Sequence, residues 1–449
     1  MTDVSADLTT DGWRGTPSAQ HSEREILARA TSLGRAMGDT LAIGYDGRAG
    51  SRELGLLAAR ALTASGTCCL VSSTPVPTPA IGRFVADRND ISGGLIFTAS
   101  HNPPGDVGLK ARGSDGLPLD YAVDVSAVDL DRLLDVVDTV DTTDDALVRY
   151  RERVVQPLAD SAAAFDGDVI VDAMYGVASV LVSPDQRVRF RRAHLAPFFF
   201  GVTPDPVLRE RSEPEMAAAA AESTEPHSTV VFMTDGDGDR LCAYTLAAGY
   251  ISSTELAGAL LTAGLPVDLV VSTHVVESSL RHTAERQGVK YETTRVGFRN
   301  IVERWKGAGR PAALGVEPNG GLVVTTGSDC YFERDGLASA ALVLRTFGST
   351  ARLSEAVQSI RADRAFESRQ FTTADDVDAL GHRIDANWPG ATVTAIDGIA
   401  QYAWADRRRI LVRRSGTEPL TRCYIEGPDE MHDWFATQVS LPYFTTHGR

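Results

Sequence analysis

Short apolar runs and helix-period segments take turns along most of this chain, and that alternation restricts the fold more than any other feature. Thr40 to Tyr45 reads as a strand, Ser51 to Ser65 as an amphipathic helix with Ser51 as candidate N-cap, Cys68 to Ser72 as a second strand and Thr78 to Asp87 as a second helix. Gly93 to Phe97 follows, short and apolar enough for a buried parallel strand. This order predicts a parallel sheet joined by right-handed crossovers. The cycle restarts with Asp168 to Asp172 as strand, a glycine turn at Gly176, Glu213 to Glu222 as an alanine-rich helix and Thr229 to Met233 as strand. A third round begins near Ser252, with Leu269 to Ser272 as strand and Leu280 to Gln287 as helix. From about Phe366 the pattern changes to strand signals at Thr392 to Ala395, Ala400 to Trp404, Arg409 to Val412 and Thr421 to Glu426, with helices around Val377 and Trp434. That stretch reads as a smaller antiparallel α+β domain. A chain of 449 residues exceeds one ordinary core. The expected division is 1–150, 151–251, 252–365 and 366–449, with a surface helix between Asp120 and Asp145.

The strand at Gly93 to Phe97 runs into Thr98-Ala99-Ser100-His101-Asn102-Pro103-Pro104, and Lys110-Ala111-Arg112 closes the segment. Open α/β sheets place ligand loops at the carboxyl ends of their strands. Pro103 and Pro104 bar a helix here, so Ser100 is expected on a stiff, exposed loop as a nucleophile or phosphate carrier. Of the 44 Lys and Arg residues only Lys110, Lys290 and Lys306 are lysines. Arginine cannot give up its proton, whereas a lysine whose pKa is lowered by neighbours serves as acid and base. Lys110 is therefore expected to do proton chemistry beside Ser100.

The strand ending at Met233 runs into Asp235-Gly236-Asp237-Gly238-Asp239-Arg240, three carboxylates on alternate residues able to wrap one hard cation. An EF-hand is excluded, because its sixth and twelfth positions would be Arg240 and Leu246. Mg²⁺ completed by a phosphate oxygen fits better, since three close carboxylates without a cation would repel. Arg413-Arg414-Ser415-Gly416-Thr417-Glu418-Pro419 gathers guanidinium groups, hydroxyls and flexible backbone in one turn, the donors a phosphate monoester takes. Glu317, between glycines, is placed to accept from sugar hydroxyls or to cap a turn.

A net charge of -16 and a pI near 5.0 exclude nucleic acid as a partner. Few lysines beside abundant Asp and Glu match either a halophilic protein or a GC-rich genome. Cys68, Cys69, Cys242, Cys330 and Cys423 form no CxxC pair and read as reduced, buried thiols. Met1 to Thr10 lacks a signal peptide's basic start and apolar core. The longest apolar stretch, Leu256 to Val271, is interrupted by Pro266 and Asp268, so no membrane partner is expected and the location is read as cytoplasmic.

In this order the motifs resemble the α-D-phosphohexomutase family of phosphoglucomutases, phosphomannomutases and phosphoglucosamine mutases. The similar features are the T-x-G-x-R-G turn at Thr10 to Gly15, the G-x-D-x-R turn at Gly44 to Arg48, and the P-x-P-T-P stretch at Pro75 to Pro79. After the serine loop and the D-G-D-G-D-R loop come V-G-F-R at Val296 to Arg299, the sugar loop around Glu317, and R-x-S-G-T-E-P at Arg413 to Pro419. The resemblance implies three related α/β domains with mixed, largely parallel sheets and a smaller C-terminal α+β domain around a central cleft. It also implies Ser100 as phosphoserine and Mg²⁺ held by Asp235, Asp237, Asp239 and the serine's phosphoryl oxygen. Arg14, His101 and Lys110 would act in the transfer. Arg240, Gly297, Phe298, Arg299, Glu317 and Asn319 would meet the sugar, and Arg413, Ser415, Gly416, Thr417 and Arg422 the distant phosphate. The substrate would be a phosphorylated hexose, glucose or mannose first and glucosamine second. A non-catalytic sugar-phosphate binder and a serine-dependent metallophosphatase are the rival readings, and the chain would be a monomer or homo-oligomer.

Departures bear on specificity. The sugar loop reads Glu317-Pro318-Asn319-Gly320 where many members have E-x-S-G, and the Asn319 amide suits an amino or acetamido substituent. Gly297-Phe298-Arg299 is closer to the G-F-K form of glucose-type enzymes. Val107 and Arg414 stand where asparagine and proline are common.

Overall fold

A computed structural model describes residues 11–17, 22–119, 128–136, 140–181, 187–326, 331–414 and 420–439. Four sheets organise it. The first contains β1 (Trp13–Gly15), β2 (Thr40–Tyr45), β3 (Cys68–Ser72), β4 (Gly93–Phe97), β5 (Val107–Arg112) and β6 (Thr142–Thr143), in spatial order β1-β5-β4-β2-β3-β6. Its β4, β2, β3 and β6 run parallel, while β5 and β1 are antiparallel additions. β4 is buried along its whole length, as a run of apolar residues covered on both faces must be. Because Tyr45 pairs with Phe97, the loops leaving β2 and β4 start side by side.

The second sheet repeats this plan with β7 (Val169–Asp172), β8 (Arg189–Arg191), β9 (Val230–Met233), β10 (Cys242–Thr245) and β11 (Gly249–Ile251), in order β11-β10-β9-β7-β8. Parallel β7 and β9 sit at its centre, and β9 delivers the aspartate loop at its carboxyl end. The third sheet, β13-β12-β14-β15, pairs β12 (Leu269–Thr273) in parallel with β13 (Lys290–Thr294) and β14 (Ala313–Val316). An antiparallel turn from β14 to β15 (Leu322–Thr325) carries Glu317 to Gly321. These three blocks belong to one compact unit, Met1–Val276 with Leu280–Ser359.

Helix Phe298–Gly307 packs its apolar face on the third sheet, where Trp305 is fully buried and stacks on Phe332 at 4.7 Å between ring centroids. The indole N–H is satisfied by the Pro311 carbonyl at 2.9 Å. Trp305→Ala is expected to cost about 3–5 kcal/mol of unfolding free energy, read as a lowered urea midpoint.

The second unit, Glu277–Ser279 with Ile360–Arg449, is built on an all-antiparallel sheet. β16 (Ser368–Thr373), β17 (Thr392–Ile396), β18 (Ile399–Ala403), β19 (Arg409–Arg414) and β20 (Thr421–Glu426) lie in order β16-β20-β19-β18-β17. Helices Val377–Asn387 and Asp429–Trp434 and the turn Phe435–Val439 that follows cover it through Leu380, Ile384, Met431 and Phe435. The α/β and α+β expectations are met, with sheets that are mixed.

Several local expectations are corrected. Gly50, at φ 80°, is the N-cap of helix Ser51–Ala64, and the Ser51 hydroxyl instead donates to Asp46. Helical structure runs without interruption from Asp145 to Ala164. Cys68 is exposed and Cys69 half-buried, because β3 lies towards the sheet's edge; Cys242 and Cys423 are buried, and Cys330 lies outside the described residues. Most of the segment from Asp120 to Asp145 is described, with a short helix at Leu130–Leu134, but 120–127 and 137–139 lie outside. Among the described residues no helix is long and apolar enough to cross a membrane.

Candidate active site

Ser100 follows β4 with φ 53°, a left-handed conformation that a residue with a Cβ seldom adopts and that marks functional turns. It is only 1% exposed, not presented to solvent as the prolines suggested. The reason is that the aspartate loop covers it: Gly236 is packed so closely on the Ser100 carbonyl that a Cβ there would lie 2.6 Å from the oxygen. Ser100 Oγ donates to Asp235 Oδ2 at 2.9 Å, although the two residues are 135 positions apart. His101 Nδ1 lies 3.5 Å from Ser100 Oγ and 3.4 Å from an Arg14 guanidinium nitrogen. Arg14 is set there by β1, which pairs Arg14 opposite Gly108 on the strand that carries Lys110.

Asp235, Asp237 and Asp239 are buried, with ligand oxygens all within 4.8 Å of one another. The turn is fixed by backbone: Asp239 N–H and Arg240 N–H both donate to Asp235 Oδ1 at 3.0 and 3.2 Å. The P-x-P-T-P stretch supports it, Thr78 donating to Asp237 Oδ2 at 2.5 Å from its hydroxyl and to Asp237 O at 3.0 Å from its backbone. Asp237 Oδ1 and Asp239 Oδ1 are buried without a hydrogen-bond partner. Three convergent carboxylates with unpartnered oxygens fit one hard divalent cation. Burial, then Asp237 and Asp239, pushes the Asp235 carboxyl well above its ordinary range, with Arg240 and Lys110 opposing.

The repulsion foreseen among these acids is offset by cations of the chain itself. Lys110 Nζ lies 2.7 Å from both Asp237 Oδ2 and Asp239 Oδ2, and Arg240 Nε 3.6 Å from Asp235 Oδ2. Burial works against the Lys110 charge, but Asp237, Asp239 and Asp11 outweigh it and hold the ammonium above the usual lysine range. These neighbours shift Lys110 upward, not downward as expected. Burial, then Arg240, pulls Arg14 down to about 10.

Two residues that the sequence reading did not single out tie the loops together. Arg334 donates to Glu317 Oε2 at 3.1 Å, to Asp239 Oδ2 at 2.8 Å and to Asp11 Oδ2. Asp11 also accepts from Arg112 at 3.1 Å; burial opposes its charge, yet Arg112, Lys110, Arg334 and Arg14 hold it well below the ordinary range. Asp11 had a signal in the sequence, as a charge within the Thr10 to Gly15 turn; Arg334 had none, and its place just before Asp335, the N-cap of helix Gly336–Phe347, emerges from the structure. Backbone joins the same loops, Leu241 N–H donating to Gly320 O at 2.9 Å.

Glu317 thus reaches the site, buried, with Ser253 Oγ donating to its carbonyl at 2.8 Å. Burial raises its carboxyl pKa, opposed by Arg334 and Arg240. Asn319 is half-buried, its Oδ1 accepting from Gly321 N–H at 3.3 Å. Gly297 caps helix Phe298–Gly307 at φ 125° and Arg299 is half-buried in its first turn. Phe298 departs from the expectation of a sugar contact: it is 1% exposed in the core beside Trp305, and its ring face meets the Arg334 guanidinium at 4.6 Å. In the second unit Arg413 and Arg422 are directly opposite on β19 and β20, and Arg413 donates to Tyr424 Oη at 3.0 Å. Ser415, Gly416 and Thr417 lie outside the described residues.

Residues 7–127 match phosphoglucomutase/phosphomannomutase alpha/beta/alpha domain I, 237–362 match domain III and 371–433 the C-terminal domain. The chain is 30% identical to the phosphoglucosamine mutase of Ruegeria sp. (strain TM1040) over 94% of both chains. It is 27% identical to that of Rhodococcus jostii (strain RHA1) over 94% of this chain and 95% of the relative. A phosphoglucomutase/phosphomannomutase family protein of Burkholderia thailandensis shares the fold, with a TM-score of 0.70 at 21% identity over 98% of this chain and 99% of that one. With domain matches in the family's order and a relative 30% identical along nearly all of both chains, this chain belongs to the phosphoglucomutase/phosphomannomutase family, the α-D-phosphohexomutases.

Proposed function

We propose that this chain is a Mg²⁺-dependent mutase that interconverts hexose 1-phosphate and hexose 6-phosphate through a phosphoserine at Ser100 and a bisphosphorylated sugar. The observation that carries the reading is the 2.9 Å contact between Ser100 Oγ and the carboxylate triad. In the forward step the Oγ–P bond of phosphoserine breaks as a P–O bond forms to the free hydroxyl of the sugar monophosphate. The hydroxyl proton passes through His101, whose Nδ1 faces Arg14 and Ser100, to the serine oxygen left behind. The bisphosphate then turns over and returns its other phosphoryl group to Ser100, with bonds and proton reversed. A Mg²⁺ on Asp235, Asp237 and Asp239 would supply charge neutralisation for the phosphoryl group in flight. Lys110 and Arg14 add fixed positive charge, which is the main protein contribution to such transfers.

Arg413 and Arg422 support a phosphate grip with Ser415, Gly416 and Thr417, since two guanidinium groups directly opposite on neighbouring strands suit one shared phosphate. The four-domain division and a cytoplasmic setting belong to the same reading. Glucose or mannose is the first substrate. The Asn319 oxygen is engaged by Gly321, so the amide offers a sugar its donors, which suit a hydroxyl better than an ammonium group. Phosphoglucosamine is the second, favoured by the names of the relatives.

Assaying glucose, mannose, glucosamine and N-acetylglucosamine phosphates side by side, with inorganic phosphate measured in parallel, tests the proposal. Isomerised sugar supports it; phosphate release alone identifies a phosphatase, and no turnover of any of them a binding protein. Glu317→Gln is expected to raise KM about 10- to 100-fold with a smaller change in kcat, the value of a charged hydrogen bond to a sugar hydroxyl.

A further inference from the structure

We infer that Arg48 is the positioning residue that fixes Ser100 in its reacting conformation, and that Phe199 holds Arg48 in place; the inference rests on the mutase reading of Ser100. A residue's φ and ψ are set when the N–H before its Cα and the C=O after it are both anchored, and here the Asp46–Arg48 ion pair anchors both for Ser100, the N–H by way of Thr98. Arg48 Nη2 donates to Ser100 O at 2.5 Å and Asn102 O at 2.8 Å, and Nη1 to Pro103 O at 2.7 Å. Its Nε lies 3.2 Å from Asp46 Oδ2. The same Oδ2 accepts from Thr98 Oγ1 at 2.6 Å, and Thr98 Oγ1 in turn accepts the Ser100 N–H at 2.8 Å. Asp46 is held by Ser51 Oγ and by the Arg48 backbone N–H, at 2.8 and 3.0 Å. The left-handed turn that directs Oγ to Asp235 is thereby over-determined, the condition under which such strain persists.

The outer face of the guanidinium is closed by the second block. Phe199 is fully buried and its ring centroid lies 4.8 Å from Arg48 Cζ. The loop is docked there by Ala49 N–H donating to Pro197 O at 3.1 Å. A Cβ on Gly236 would lie 3.3 Å from the tip of the Phe199 ring, so this ring touches both the arginine of the serine loop and the aspartate loop. Only a planar fork of donors can serve three carbonyls and a carboxylate while stacking on a ring; a lysine ammonium cannot.

The test uses full-length Arg48→Lys and Phe199→Leu with Mg²⁺ and a hexose 1,6-bisphosphate primer. Arg48→Lys is expected to lower kcat per folded molecule about 100-fold with KM within about threefold, the pattern of a misplaced reacting atom. Phe199→Leu is expected to shift kcat about tenfold in the same direction. The crystal structure of Arg48→Lys should show Ser100 at negative φ with Oγ turned from Asp235. A variant that keeps kcat within about threefold of wild type overturns the inference, as does a loss that only follows the folded fraction seen by circular dichroism. Should Arg48→Lys not fold, Phe199→Leu decides by the same split. Wild-type protein inactive on every hexose phosphate overturns the mutase reading instead, and the clamp is then decided by the Ser100 conformation in the Arg48→Lys crystal.

Discussion

Ser100→Ala is expected to abolish interconversion of hexose phosphates, with kcat falling by at least about 10⁴-fold, while the protein stays folded. The size follows from what the oxygen does. A mutase that carries its phosphoryl group on a side chain has no alternative acceptor, and water in that place yields hydrolysis rather than exchange. Stability should change little, because alanine adopts the same left-handed turn at the same steric cost as serine and only the bond to Asp235 is lost, about 1 kcal/mol. Incubation with a hexose bisphosphate should leave a phosphoryl group on wild-type protein by intact mass and none on the variant. Isomerase activity within tenfold of wild type, or a phosphoryl group retained by Ser100→Ala, assigns the carrier elsewhere.

What could be read from sequence and what could not divide along one physical line. Features that are local in the chain were legible: the β4 run into the serine loop, the alternate aspartates after β9, the change to antiparallel signals after Phe366. Features that depend on which distant charges meet were not. Arg334 reaches Asp11 across 323 positions and Asp239 across 95, and no periodicity encodes such pairs. The sign of the Lys110 shift failed for the same reason. Its neighbours proved to be acids, which hold a proton on, and whether acids or bases would surround it was a tertiary fact. Ser100 was taken as exposed because prolines predict a loop, but they do not say what covers it. Phe298 was placed at the sugar from its motif, while its helical spacing with Ile301, Val302 and Trp305 pointed to the core where it lies.

Stripping divalent metal with a chelator should reduce turnover by about 10³-fold or more, and added Mg²⁺ should restore it. The triad offers buried oxygens that the chain leaves without hydrogen bonds, at Asp237 Oδ1 and Asp239 Oδ1. A cation taken up by them stabilises the folded state by mass action, about 2.7 kcal/mol at a hundredfold excess over Kd, so the thermal midpoint should climb with Mg²⁺ concentration. Asp237→Asn keeps the shape of the turn and removes one negative ligand. It should flatten the Mg²⁺ dependence of the midpoint, and it should lower activity by a comparable factor that excess metal recovers only in part. Lys110 retains Asp239 and Asp11 in that variant, so its ammonium is not left unpaired and the protein should fold. The two readouts separate the causes. A midpoint that ignores Mg²⁺ in wild type removes the metal from the triad, whereas a rising midpoint with chelator-resistant turnover leaves the metal bound but removes it from the chemistry.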